Sequence, residues 1–397
     1  MLTAEEQALL ELIDAGELTA LLQRLVRINS ENPPGRERAV GRVVAEALEA
    51  AGCQVELQPV EGERFNVIAV LEGKRPDKLL FNGHMDTVPA GNAKLWRDDP
   101  WSAVIRDGRL YGLGSSDMKA GLVAMIAAVI AVKQSGAALE RSLMFAAVID
   151  EEVYFKGTNA LLAEQKLAGC VMAYVSEPTG LKIGNRLKGS LEFSVRTTGR
   201  SAHAGIAFAG DNAIYKMGRY LEALRLYNNS LKDRMDEPVL RYPTVNVGKI
   251  QGGVGVTLVP DACEMEFDRQ VMPTESIAEA EREIRDLTER VNEAEGIGAE
   301  LTLKQPLNNW SVDESEAVVR GLSGALQDAT GRKPEFTGFN GYAEVEMLAA
   351  AGIPSVLFGP GSIDVAHAPD EYVPLDEVLQ AAKVYALLAY RFVTRTE

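Results

Sequence analysis

Apolar residues recur along this chain with two different periods, and the alternation between them sets the expected architecture. Residues 36–51 carry helical spacing and are followed by three short runs rich in β-branched, aromatic and aliphatic residues, 55–60, 66–71 and 79–83, bounded by Gly, Pro and charged turns. A helix is predicted from Asp117 to about 132, then a strand over 143–149, a helix around 158–167 and a strand over 171–175. Strands that alternate with helices and read as continuous apolar runs predict an α/β fold, a mostly parallel sheet sandwiched by helices.

After Gly184 the rhythm changes to strands over 191–197, 244–250 and 263–269, a helix over 213–226 and a charged helix over 276–294. From about Leu303 the earlier order returns, with helices over 314–329, 346–351 and 375–392 and a strand over 355–358. The pattern predicts a smaller α+β domain, 186–304, inserted between two parts of a larger one, 1–185 and 305–397. A length of 397 residues agrees, because single cores stop growing at roughly 250–300 residues. The opening stretch MLTAEEQALLELIDAGEL predicts one acidic amphipathic helix and lacks the marks of a secretory signal. The apolar run 120–132, between Lys119 and Lys133, is shorter than the ~18 residues of a membrane span and predicts a buried helix.

Charge narrows the partners. Lys plus Arg number 41 against 57 Asp plus Glu, a net charge of -16 with no long basic run, which argues against nucleic acid and anionic membrane. Cys53, Cys170 and Cys263 are far apart and odd in number, so neither a disulfide framework nor a CxxC metal site is expected, and a reducing cytoplasm is.

The candidate chemistry gathers around three histidines, His84, His203 and His367, each in a polar turn. FNGHMDTVP ends a strand at Gly83 and delivers His84 and Asp86 to the carboxyl edge of the sheet. Residues i and i+2 of an extended segment face the same way, so Asp86 is expected to accept a hydrogen bond from the distal nitrogen of His84. GLGSSDMKAG, 112–121, places Asp117 at the start of the apolar helix. That stretch superficially matches a dinucleotide-binding loop, but the sixth position is an acid, which would repel a pyrophosphate. VIDEE sets Asp150, Glu151 and Glu152 in a row at a strand end, where mutual repulsion would be relieved by a cation. Glu177 closes the strand in YVSEPT, and His367 follows the strand 355–358 in GPGSIDVAHAPDEY. Imidazoles and carboxylates from the ends of several strands form a donor set for divalent ions, at the edge where open α/β sheets place their sites.

With HMDTVP, GLGSSDMKAG, DEE, SEPT, GRSAHAG and AHAPDEY in this order, the chain resembles, over essentially its whole length, the co-catalytic zinc metallopeptidases and deacylases. That family includes acetylornithine deacetylase, succinyl-diaminopimelate desuccinylase, aminoacylase and the glutamate-releasing carboxypeptidase. The resemblance implies a zinc-exopeptidase-like fold with an inserted lid and dimerisation domain, and two divalent metal ions per subunit. Zinc is the expected metal, with cobalt or manganese as the other ions such a site takes. His84 and Glu177 would bind one ion, Glu152 and His367 the other, and Asp117 both. Asp86 would orient His84, and Glu151 would be the general base. His203 would donate to the oxyanion, commonly across a homodimer. Asn246 and Arg269 would hold the carboxylate of the substrate. One departure stands out: where many relatives carry Gly-Thr-Asp or Ser-Thr-Asp, this chain has Tyr342, Ala343 and Glu344, which bears on the substrate pocket and leaves the metal ligands alone.

The expected function is hydrolysis of the amide bond of an N-acyl amino acid by metal-activated water, in a cytoplasmic homodimer. An exopeptidase acting on a short peptide is the alternative within the family. A non-catalytic metal-binding protein would have no need of Glu151 and His203. A nucleotide-dependent oxidoreductase lacks its fingerprint glycine and any GxxxxGK[ST] match.

Overall fold

The computed structural model describes residues 2–235 and 238–395, and the chain divides into two compact units. One comprises Met1–Asn185, Val312–Thr337 and Ala343–Glu397, the other Arg186–Ser311 and Gly338–Tyr342. The inserted unit therefore runs past the expected limit at 304, because the strand Glu300–Leu307 pairs antiparallel with Gly189–Thr198. Its residues alternate between exposed and half-buried, the mark of a strand on an open sheet and not of the larger unit's interior.

The first unit is built on a sheet whose strands lie in the order Gln54–Glu61, Arg64–Leu71, Ser142–Val148, Lys78–His84, Cys170–Val175, Ser355–Leu357, Ile183–Leu187. The four central strands are mutually parallel, and the flanking ones pair antiparallel. Every side chain of Ser142–Val148 is buried, as expected of a central strand covered on both faces. Phe81 and Phe145 of the sheet share one core with Leu122 and Ile126 of the helix Ala120–Gln134 and with Tyr385 of the closing helix Leu375–Thr394. The stretch Ser115–Gln134 is long and apolar enough to cross a membrane, yet it lies buried within the unit.

Two expectations about helices change. The N-terminal helix is two, Ala4–Glu11 and Ala15–Val26, because the Asp14 carboxylate accepts from Glu17 N at 2.8 Å and starts a second helix. Asp117 does not begin the apolar helix: it sits at φ -115°, ψ 99° in an irregular turn, Ser115–Lys119, three residues before the helix starts at Ala120. Gly121 then lets the helix come close to the strand exit, since a Cβ there would lie 2.4 Å from the Ser176 carbonyl.

The parallel strands end on one edge, and the exits carry His84, the acids 150–152 and Glu177. A small antiparallel sheet of Val104–Arg106, Arg109–Tyr111 and Tyr372–Pro374 ties the segment after His367 to the chain entering the Asp117 turn, with Tyr372 opposite Tyr111.

The second unit is a four-stranded antiparallel sheet ordered Thr244–Gly252, Ala262–Val271, Gly189–Thr198, Glu300–Leu307. The inward residues of Gly189–Thr198 and Ala262–Val271 alternate with exposed ones, and Phe193, Val195 and Met265 pack with Tyr220 of the helix Ala213–Ser230 and Ile284 of Ile277–Glu295. Helices therefore cover one face of this sheet.

Candidate metal centre

Residues far apart in sequence converge where the central strands end. His84 Nε2, a carboxylate oxygen of Asp117 and one of Glu152 lie within 4.8 Å of one another. The Asp117 carboxylate spans two imidazoles: Oδ1 is 3.1 Å from His84 Nε2, and Oδ2 is 3.3 Å from His367 Nε2. His367 Nε2 is also 3.2 Å from Glu152 Oε1. Glu177 is buried, and its Oε1 has no hydrogen-bond partner among the described residues.

The electrostatics describe an anionic hollow. Burial pushes Glu151 and Glu177 well above the usual carboxylate range, reinforced by their neighbours' negative charge, and it raises Glu152 in the same way. Burial also works against ionisation of Asp117, but hydrogen bonds from His367 and His84 hold it low. His84 is raised despite burial, by Asp117 and Asp86, and His367 is pushed up to about 10 by Asp117 and Glu152. Protons on the imidazoles here do what a divalent cation would do better. His84, Asp117 and Glu152, with His367 against Asp117 and Glu152, form a donor set that fits a divalent cation.

Asp86 orients His84 as expected, and does more. His84 Nδ1 donates to the main-chain carbonyl of Asp86 at 3.0 Å, and the Asp86 carboxylate stands 3.6 Å from the same nitrogen. In neutral His84 this directs the Nε2 lone pair toward Asp117. The Asp86 carboxylate also accepts from Glu151 N at 3.2 Å, Glu152 N at 3.1 Å and Asn32 Nδ2 at 3.0 Å, and so fixes the turn that carries both glutamates. The three adjacent acids are also sorted: Asp150 is paired with Arg64 at 2.9 Å and Asn32 at 2.8 Å, away from the cluster.

Glu371, in the AHAPDEY stretch, holds the turn that carries Asp117. Fully buried, its carboxylate accepts from Gly114 N at 3.0 Å, Ser116 N at 2.7 Å and Asp117 N at 3.0 Å, clamping the turn that presents Asp117. Burial and the charge of Asp117 raise it to about 8, against the pull of those three donors. Lys119 is buried beside the turn and donates to Leu25 O and Ile28 O at 3.1 and 2.9 Å. Glu344, the departure from the family pattern, is buried and takes a hydrogen bond from the Thr158 hydroxyl. Burial raises it to about 7, and its charge is felt by Glu151 and Glu177, so it belongs beneath the acids of the centre.

In the second unit, His203 is exposed, and its Nδ1 accepts from Gly205 N at 3.0 Å. With Nδ1 an acceptor, the neutral ring carries its proton on Nε2, ready to donate. Asn246 is exposed and stands opposite Asp268 across the strand pair, while Arg269 stands opposite Val245. Adjacent residues of a strand face opposite sides, so Asn246 lies on the open face and Arg269 among the helices. Arg269 is wholly buried and gripped by Glu275, with Nη2–Oε1 at 2.8 Å and Nη1–Oε2 at 3.2 Å, and its Nε donates to Tyr227 OH at 3.1 Å. The expectation that Arg269 joins Asn246 on a substrate carboxylate is corrected: its charge is already satisfied inside the unit. Arg269→Ala is expected to cost about 3 kcal/mol of stability by stranding Glu275, read as a lower denaturation midpoint. A raised KM at unchanged stability would return it to the substrate.

Comparison with known proteins agrees with this arrangement. The family model described as peptidase family M20/M25/M40 matches residues 80–391. The acetylornithine deacetylase of Photorhabdus laumondii is 30% identical over 366 residues, covering 88% of this chain and 89% of that protein. Among solved structures, a tripeptidase from Staphylococcus aureus superposes with a TM-score of 0.78 at 23% identity, covering 95% of this chain and 98% of that one. A dinuclear metal-binding peptidase of the M20 family from Bacillus subtilis gives 0.72 at 16% identity, covering 96% and 98%.

Proposed function

Because this chain belongs to peptidase family M20/M25/M40 and is a metal-dependent amide hydrolase, we propose that it removes the acyl group from an N-acyl amino acid, with two zinc ions at the centre described above. The observation that carries this reading is the Asp117 carboxylate set between the two imidazoles, beside a buried Glu177 oxygen that no protein donor satisfies. His84 and Glu177 would hold one ion, Glu152 and His367 the other, and Asp117 both. Bound there, divalent cations supply Lewis acidity and bring the pKa of water to about 7.

The protein's own groups do the rest. Glu151 is buried beside the ligand Glu152, on a turn held by Asp86, and its raised affinity for a proton suits it to take one from water and return it to the leaving amine. His203, with Nε2–H free, would donate to the oxyanion, a contribution typically worth about 3 kcal/mol. Asn246 would bind the substrate's carboxylate end from the open face of its sheet.

The same reading makes the active form a homodimer in which His203 serves the partner subunit. Thr244–Gly252 is an edge strand, and the loop next to it exposes Val254 at 90% and Val256 at 98%, with Phe208 at 89% nearby in sequence to His203. Apolar side chains clustered on one unit beside an unpaired strand edge support association with a second copy. A 30%-identical deacetylase relative favours deacylation over peptide hydrolysis.

The test is amine release from a panel of N-acetyl and N-succinyl amino acids and dipeptides, with metal content measured on the same samples. Two metals per subunit and chelator-sensitive release from N-acyl amino acids is the expected result. Release from dipeptides alone would move the reading to an exopeptidase, and metal-independent release would overturn it.

A further inference from the structure

At the opposite end of the first unit's sheet lies a cavity of about 290 Å³ whose lining includes four arginines, Arg141, Arg320, Arg391 and Arg395, and no acid among the described residues. Arg141 directly precedes the strand Ser142–Val148, so the cavity sits at the amino edge of the parallel strands, whereas the metal centre sits at the carboxyl edge. We infer that this cavity binds a small organic anion, whose oxyanion is held by Arg141, Arg320 and Arg395 and whose apolar body lies against Met172, Leu388 and Phe392. The inference does not depend on the deacylase reading.

The charges of the four arginines are unequally used. Arg391 is paired with Glu6 at 2.6 Å and Asp328 at 2.9 Å. Arg320 reaches the neutral Ser315 carbonyl, and neither it nor Arg395 forms an ion pair among the described residues. Arg141 has Asp77 no closer than 3.9 Å, and its buried Nε has no hydrogen-bond partner. Three guanidiniums thus line one hollow with little countercharge among the described residues, in a chain whose net charge is -16. Arg320 and Arg395 are exposed at its mouth, and an oxyanion bound between them and Arg141 would gain charge-assisted hydrogen bonds from each.

Local structure does not explain the cluster. Arg320 lies one turn into the helix Ala317–Thr330, near the positive end of the helix dipole, where a cation is disfavoured. Arg141 is held in place: its main-chain N–H donates to Val393 O at 3.2 Å, and its guanidinium lies 5.2 Å from the Phe392 ring centre. Gly324 leaves open space where a side chain would stand. The result is a pre-set cationic rim over an apolar floor, the usual make-up of a small-molecule site.

Calorimetric titration of the full-length protein with phenyl phosphate and, separately, with phenylacetate tests this and distinguishes a phosphate from a carboxylate ligand. At least one of the two is expected to bind, and the double variant Arg320→Ala/Arg395→Ala to weaken that binding at least tenfold while amide hydrolysis stays within twofold of the parent. Both positions are at the surface, so the variant keeps the core intact. Binding of neither anion would overturn the proposal. So would binding equally tight in the double variant, which would place the anion elsewhere.

Discussion

Glu151→Gln is expected to lower turnover by roughly 10²- to 10⁴-fold with both metals retained. The side chain keeps its shape and loses only its basicity, and the turn that holds it is fixed by Asp86 through the main chain of Glu151 and Glu152. His203→Ala is expected to lose turnover by a comparable factor with metal content unchanged, because His203 belongs to the other unit and is not one of the clustered ligands. If His203 serves the partner subunit, the two inactive proteins complement each other. Random exchange at equal amounts makes half the dimers mixed, each with one complete site, so about one quarter of the parent activity should return. Turnover by Glu151→Gln near that of the parent would sink the base assignment, and no recovery on mixing would place His203 outside the partner's site.

Stripping the metals is expected to abolish hydrolysis, and restoring them should release protons. In the metal-free protein His84 is raised by Asp117 and Asp86 despite burial, and His367 is raised to about 10 by its carboxylate neighbours, so both imidazoles hold a proton more tightly than a free one. Glu177 and Glu152 are raised as well, by burial first. A ligand must give up its proton to bind, so the sign is fixed: apparent affinity weakens as pH falls and strengthens toward pH 10. Each proton released changes it by about tenfold per pH unit. Zinc titrations in two buffers of different ionisation enthalpy count those protons. A pH-independent affinity with none released would contradict the ligand set. Glu371→Ala extends the same measurement, because losing the clamp on the Asp117 turn should weaken metal binding while His84 and His367 remain.

Much of this protein is legible along the chain. The apolar runs 79–83, 143–149 and 171–175 are short and end at polar turns, and they fold as the parallel strands Lys78–His84, Ser142–Val148 and Cys170–Val175 within a residue or two. The change of rhythm after Gly184 falls where the second unit begins, but its limit moves from 304 to Ser311 and it also takes in Gly338–Tyr342. Hydrophobic period and turn residues act over a few positions, and they suffice to set elements and their order. The motifs that carry His84, Asp117, Glu152, Glu177 and His367 are likewise local strings at strand exits, which is why the candidate ligands could be named before any fold was known.

Tertiary structure decided which polar groups meet. Asp117 was expected at the start of the apolar helix, yet it lies before it and between two imidazoles, one of them 250 residues away in sequence. Asp86 faces the His84 ring two residues before it, and its carboxylate also anchors a turn 65 residues on. Arg269 shared a short stretch with Asn246's partner Asp268, and the pleat turned it to the opposite face, where Glu275 took its charge. Glu371 lay inside the AHAPDEY string with nothing local to show that it clamps the Asp117 turn, and the arginine cavity left no local trace. Periodicity records which face of an element is buried. Where a buried carboxylate or guanidinium finds its partner depends on strand order and on the need to satisfy every polar group taken out of water, and both come into being only when distant segments pack.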